Sequence, residues 1–236
     1  MPTLQAIVFD LDDTLYSERE YVRSGFKAVA VWIEEHLNLP WNVAFQGFLE
    51  LFDEGKRGNI FDLWLKGRGI DPEPWVPRMV AVYRQHRPHI APYQGVFSLL
   101  SRLRRIYRLG IVTDGSANVQ KRKIEALGLA PYFDAIVFSD ELGKAAWKPS
   151  ALPFRVVLKR LKAVGNKSIY VADNPLKDFL GACAVGMWTI RVRHPLGLYS
   201  QIEPPSPEYG PDVEITTIGG LEGVVAEIET AAKRGG

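Results

Sequence analysis

The chain has 236 residues, of which 47% are hydrophobic and 24% charged, a balance that excludes a disordered chain and allows one large domain or an ordinary one carrying a smaller one. With 29 basic against 27 acidic residues the net charge is +2, which leaves no electrostatic footprint for nucleic acid, and no apolar run is long enough to span a bilayer. The single cysteine, Cys183, excludes an intramolecular disulfide, and the N-terminus enters a strand without a basic leader or apolar signal core, so a cytoplasmic setting is expected.

In chain order, residues 5–9 form a short apolar run ending at Asp10, the pattern of a buried parallel strand. From Glu18 to Leu37 the spacing turns helical, with Tyr21, Phe26, Val29, Trp32, Ile33 and Leu37 recurring at threes and fours. Further helices are expected over 43–53, 60–67 and 74–87, divided by the breakers GKRGN and GRGIDPEP. No strand pattern occurs between 17 and 90. That block therefore predicts an inserted all-helical domain, with residues 1–16 and 91–236 forming the core domain.

After Pro92 helices and strands alternate: a helix over 95–106, a strand over 109–113, a helix over 117–127 stopped by Gly128, and a strand over 135–138. A helix over 151–162, a strand over 168–172, a helix over 175–184 and a strand over 188–192 follow. Alternation with short links predicts an α/β fold with a doubly wound parallel sheet. Residues 194–211 carry too many prolines for either regular state and read as a loop, before a short edge strand at 213–215 and a closing helix from 220 to 233. Cys183, in GACAVGM, reads as the buried side of its helix.

Three strand-like runs give way to carboxylates or hydroxyls: AIVFDLDDTL at 6–15, LGIVTDGS at 109–116 and SIYVADNPLKD at 168–178. If the strands are parallel, Asp10, Asp12, Thr113, Asp173 and Asp178 meet at their carboxyl ends, where open α/β sheets place ligands. Two carboxylates spaced like Asp10 and Asp12 suit Mg²⁺ and a reacting phosphoryl group. Asp10 could attack phosphorus, while Asp12 could protonate the leaving oxygen and later activate water. Taken alone, the same cluster equally suits a structural ion or a solvated turn.

The second run offers the Thr113 hydroxyl, Asp114, Gly115 and a Ser116 N-cap, which read either as a phosphate cradle at a helix start or as a capped helix and nothing more. In the third, Asn174 is an N-cap, Pro175 fits the first helical position, and Asp178 falls in the opening turn. Four gathered carboxylates repel one another unless a cation compensates them. Lys148 in AAWKPS is the candidate, with Lys144 as a rival.

These segments, in this order, resemble the haloacid dehalogenase superfamily: FDLDDTL as motif one, IVTDG as motif two, WKPSALPF as motif three and YVADNPLKD as motif four. The resemblance implies a Rossmann-like core with a helical cap at 17–90 and a Mg²⁺-dependent phosphatase acting on a small phosphorylated metabolite through an aspartyl phosphate. It makes Asp10 the nucleophile, Asp12 the acid/base, Lys148 the stabilising lysine, and Thr113 with its neighbours Asp114 and Gly115 the phosphate ligands. Metal ligation falls to Asp10, Asp12 through its backbone carbonyl, Asp173 and Asp178, with Asp178 alternatively a partner of the lysine. Superfamily members that remove halide lack the second aspartate of motif one, so Asp12 favours a phosphatase. Asp114 stands where Asn is common, Ala172 where Gly is common, and Ala151 where Pro is common.

Within the cap, Arg19 follows the hinge and Arg57 sits in a glycine-flanked loop, either contacting a second anionic group of the substrate or facing solvent. Tyr199 could border the site from the late loop. His86 and His89 lack a third metal ligand. The rival functions are a phosphomutase using the same nucleophile, a phospho-accepting receiver, and a binding or regulatory protein; a monomer or homodimer is expected.

Overall fold

The computed structural model describes residues 4–234. Strand β1 (Ala6–Phe9) is followed by four helices, α1 (Glu18–Leu37), α2 (Trp41–Asp53), α3 (Ile60–Lys66) and α4 (Val76–Gln85). Thereafter come α5 (Val96–Leu103), β2 (Arg108–Thr113), α6 (Ala117–Ala126), β3 (Ala135–Phe138), α7 (Leu152–Leu161), β4 (Ser168–Ala172), α8 (Phe179–Cys183), β5 (Trp188–Val192), β6 (Val213–Ile215) and α9 (Leu221–Arg234). Residues up to Glu18 and from Ala91 onward form one compact unit, and Arg19–Ile90 form another.

The strands make one parallel sheet in the order β3-β2-β1-β4-β5-β6. Every residue of β1 and β4 is buried, which explains why both read as unbroken apolar runs instead of alternating ones. From β1 the chain moves outward to β2 and β3 and then returns to the other side at β4. The β1/β4 junction is therefore the switch point, and the site lies beyond its carboxyl ends. Ala6 faces Arg108 of β2 and Ser168 of β4, and the ladder continues past β1 through the Asp10 N–H, which donates to the Val171 carbonyl at 2.8 Å.

One core cluster of the sheet unit is built from Val8, Val112, Phe154, Val157, Leu161, Tyr170 and Phe179, with Phe154 and Tyr170 edge to face at 4.7 Å. Gly181 lets α8 approach the chain just after Lys148: a Cβ there would lie 2.6 Å from the carbonyl oxygens of Pro149 and Ser150. The helical unit has an aromatic core in which Phe26 meets Phe48, Phe52, Phe61 and Tyr83 at centroid distances of 5.5 to 6.0 Å. No helix among the described residues is long and apolar enough to cross a membrane.

Three local expectations change. The helix expected from 175 begins only at Phe179, because the Asn174 side chain accepts the Leu176 N–H at 2.9 Å and Asp178 accepts the Asn174 N–H at 2.9 Å. These side-chain bonds hold residues 174–178 as a turn. Cys183 is exposed, since Phe179 and Ala182, three apart, occupy the buried face of this short helix. Ser116 stands at the N-cap of α6 without a capping bond from its side chain; Asp140 accepts the Ala117 N–H instead, at 3.1 Å.

Candidate active site

The end of β1 delivers Asp10, the end of β2 Thr113 and Asp114, and the end of β4 Asp173, with Asp178 following in the turn before α8. Carboxylate oxygens of Asp10, Asp173 and Asp178 lie within 4.8 Å of one another, and all three residues are buried. Lys148, also buried, reaches into this group: its Nζ is 2.8 Å from Asp10 Oδ1, 2.6 Å from Asp178 Oδ1 and 3.1 Å from the Tyr170 hydroxyl. Lys144, the rival, is exposed and lies over the Trp147 ring at 3.8 Å.

Charge is unevenly compensated here. Burial raises the Asp10 carboxyl to about 6, with Lys148 opposing and Asp178 adding to the rise. Asp173 is held well above the usual carboxylate range by burial and then by the negative charges of Asp178 and Asp10. Burial disfavours the Lys148 ammonium, but Asp10 and Asp178 outweigh it and push its pKa upward. Clustered carboxylates with residual negative charge and hard oxygen donors are the surroundings Mg²⁺ takes. The residues fit such an ion.

Asp12 does not join that group through its side chain. Its Oδ1 accepts from Lys123 Nζ at 2.7 Å and from the Tyr16 hydroxyl, and its Oδ2 accepts from Gln120 Nε2 at 2.9 Å. Burial would raise its pKa, yet Lys123 and these hydrogen bonds prevail and hold it below the ordinary value. Thr113 is fully buried, and its hydroxyl accepts from Gln120 at 2.6 Å. Asp114 accepts the Lys148 backbone N–H at 3.3 Å and pairs with Lys177 Nζ at 3.3 Å. Against burial, Lys148 and Lys177 keep its carboxyl low. Gly115 follows with φ of 112°, a conformation open to glycine.

The late loop is fastened to the same end of the sheet. Asp13, itself at φ 48°, accepts the Leu198 N–H at 2.7 Å, while Arg191 of β5, fully buried, donates to the carbonyls of Asp173, Tyr199 and Ile202 at 3.1, 2.9 and 2.7 Å. Arg19 and Arg57 lie in the helical unit and have partners within it. Arg19 pairs with Asp53 at 2.6 Å, and Arg57 lies over the Phe52 ring at 3.7 Å while donating to the Phe52 carbonyl. His86 and His89 join no cluster of ligating side chains among the described residues.

Tyr16, Gln120, Lys123 and Arg191 lie outside the four motifs, and Lys177 lies inside motif four with no role expected of it. A signal existed for Gln120 and Lys123, which are polar yet spaced three apart with Ile124 on what must be the buried face of α6.

Residues 7–192 match the family of haloacid dehalogenase-like hydrolases. The chain belongs to that family. It is 33% identical over 233 residues to the glyceraldehyde 3-phosphate phosphatase of Methanopyrus kandleri, spanning 95% of this chain and 98% of the relative. The enzyme of the same name from Methanocaldococcus jannaschii is 31% identical over 85% of this chain and 89% of its own. In fold, the chain is similar to a HAD phosphatase from Thermococcus onnurineus, with a TM-score of 0.62 and 23% identity over 94% of this chain and 98% of the other. The sequence resemblance and the α/β core are thus borne out, and the chain is a phosphatase-type hydrolase of its family.

Proposed function

We propose that the protein is a Mg²⁺-dependent phosphatase that cleaves the monoester of a small phosphorylated carbonyl compound or sugar, through an aspartyl phosphate on Asp10. The observation that carries this reading is the convergence of Asp10, Asp173 and Asp178 on one buried point with Lys148 in contact with Asp10. The substrate class is supported by the glyceraldehyde 3-phosphate phosphatases to which the chain is similar.

In this reading Asp10 supplies the attacking oxygen, and Lys148 neutralises charge on the nucleophile and on the transferring group. Asp12 protonates the leaving oxygen and then accepts a proton from the attacking water. Thr113, Asp114 and Gly115 border the phosphate, and Lys177 adds positive charge on the Asp114 side. Asp10, Asp173 and Asp178, with the Asp12 carbonyl, would hold the metal, which when bound supplies charge neutralisation on the phosphoryl oxygens. The helical unit acts as the cap, and Arg19 and Arg57 belong to leaving-group recognition. A cytoplasmic monomer or homodimer completes the proposal.

The test is inorganic phosphate release from triose phosphates, other sugar phosphates and nucleotides, with Mg²⁺ and with chelator. Metal-dependent release, highest on short carbonyl phosphates, supports the proposal. Isomerisation of a sugar phosphate without release would reassign the chain to phosphomutases.

A further inference from the structure

Three lysines enter the catalytic face, and they serve different carboxylates; Lys177 pairs with Asp114. Lys148 contacts Asp10 and Asp178, which account for phosphoryl transfer. Lys123 contacts Asp12 at 2.7 Å, and its side chain is only 5% exposed, so this is no surface ion pair. Gln120, three residues earlier on the same face of α6, takes the other Asp12 oxygen at 2.9 Å and is itself tied to Thr113 at 2.6 Å. With Tyr16 on Oδ1, both oxygens of Asp12 have partners and its carboxylate plane is fixed.

We propose that Lys123, with Gln120, is a positioning residue that aims Asp12 at the leaving oxygen and stabilises its anion between the two half-reactions. This rests on the phosphatase reading given above. In the first half-reaction Asp10 bonds to phosphorus as the ester P–O bond breaks, and the Asp12 proton passes to the departing oxygen, leaving an alcohol and an Asp12 carboxylate. In the second, water oxygen bonds to phosphorus, its proton returns to Asp12, and the Asp10–phosphorus bond breaks to free phosphate. Asp12 is thus anionic for the whole lifetime of the aspartyl phosphate. The ammonium of Lys123 and the amide of Gln120 are its fixed counter-groups, needing no rearrangement as charge develops.

A purely structural ion pair would slow every substrate alike. A positioning role depends on how much the leaving oxygen needs its proton, so kcat/KM, which covers the steps up to leaving-group departure, is compared for glycerol phosphate and para-nitrophenyl phosphate. Lys123→Met is expected to lower kcat/KM about 100-fold on the alkyl ester and less than about threefold on the nitrophenyl ester. Lys123→Arg should recover part of the alkyl-ester rate. Adding Lys123→Met to Asp12→Asn should cost less than about threefold more, since the two act as one unit.

A lowered folded fraction scales both esters equally and leaves their ratio untouched. Should Lys123→Met fail to fold, Gln120→Leu reads the same ratio, with about a tenfold alkyl-specific loss expected. Equal loss on both esters, or additive losses with Asp12→Asn, overturns the role of Lys123. No phosphate release by the wild type from either ester, or from the substrates tried above, overturns the phosphatase reading itself.

Discussion

Asp10 and Asp12 stand two residues apart at the end of the same strand, and their surroundings drive them in opposite directions. Asp10 shares a buried pocket with Asp173 and Asp178, and its pKa rises to about 6 despite Lys148. Asp12 is held by Lys123, Gln120 and Tyr16, which outweigh its burial, and its pKa falls. Identical side chains are thus given different work by the elements that meet them: an under-neutralised group suited to a metal and a nucleophile, and a buried but well-paired anion suited to passing protons.

Breaking the Asp10 side of this contrast should have the largest consequence. Asp10→Asn removes the proposed nucleophile while keeping its shape, and steady-state phosphate release should fall by more than about a thousandfold. Lys148→Met removes the ammonium from both Asp10 and Asp178. A loss of about a hundredfold or more in kcat is expected. Urea unfolding in chelator should also show about 3 to 5 kcal/mol less stability, because buried carboxylates lose their partner.

The same contrast has a pH signature. Because the folded protein keeps the Asp10 proton up to about 6 while the unfolded chain releases it near 4, the unfolded state binds fewer protons within that window. Asp10's contribution to stability therefore declines as pH rises from about 4 to about 6, and a bound cation should offset that decline. Thermal unfolding should show Mg²⁺ raising Tm by about 4 °C or more at pH 7 but by less than about 1 °C at pH 5. An equal rise at both values would contradict the assignment.

Smaller changes sharpen the boundaries of the pocket. Gly181→Ala places a methyl against the carbonyls after Lys148 and should cost about 1 to 3 kcal/mol in urea unfolding. Lys144→Ala, by contrast, removes a side chain that only covers Trp147. Less than a twofold change in kcat is expected, which separates it from Lys148.

Much of the fold was legible because buried parallel strands appear as continuous apolar runs: 135–138, 168–172, 188–192 and 213–215 are strands within the expected limits. The start of α8 was not, since it depends on whether Asn174 and Asp178 bond to nearby backbone or let the helix continue. Motif order made Asp10, Asp173 and Asp178 readable as a group. The choice between Lys148 and Lys144, and the presence of Lys123 beside Asp12, were hidden because these pairs bridge 138 and 111 residues of sequence and exist only after the sheet has assembled. Arg19 and Arg57 show the converse, as cations whose nearest partners are Asp53 and Phe52 of their own unit.

The proposed role of Asp10 as carrier of the phosphoryl group is measured directly by mass spectrometry of protein acid-quenched during turnover of a triose phosphate with Mg²⁺. A phosphoryl adduct on the peptide containing Asp10, absent in Asp10→Asn and in chelator, is the predicted result. An adduct on another residue, or phosphate release by Asp10→Asn at the wild-type rate, would contradict it.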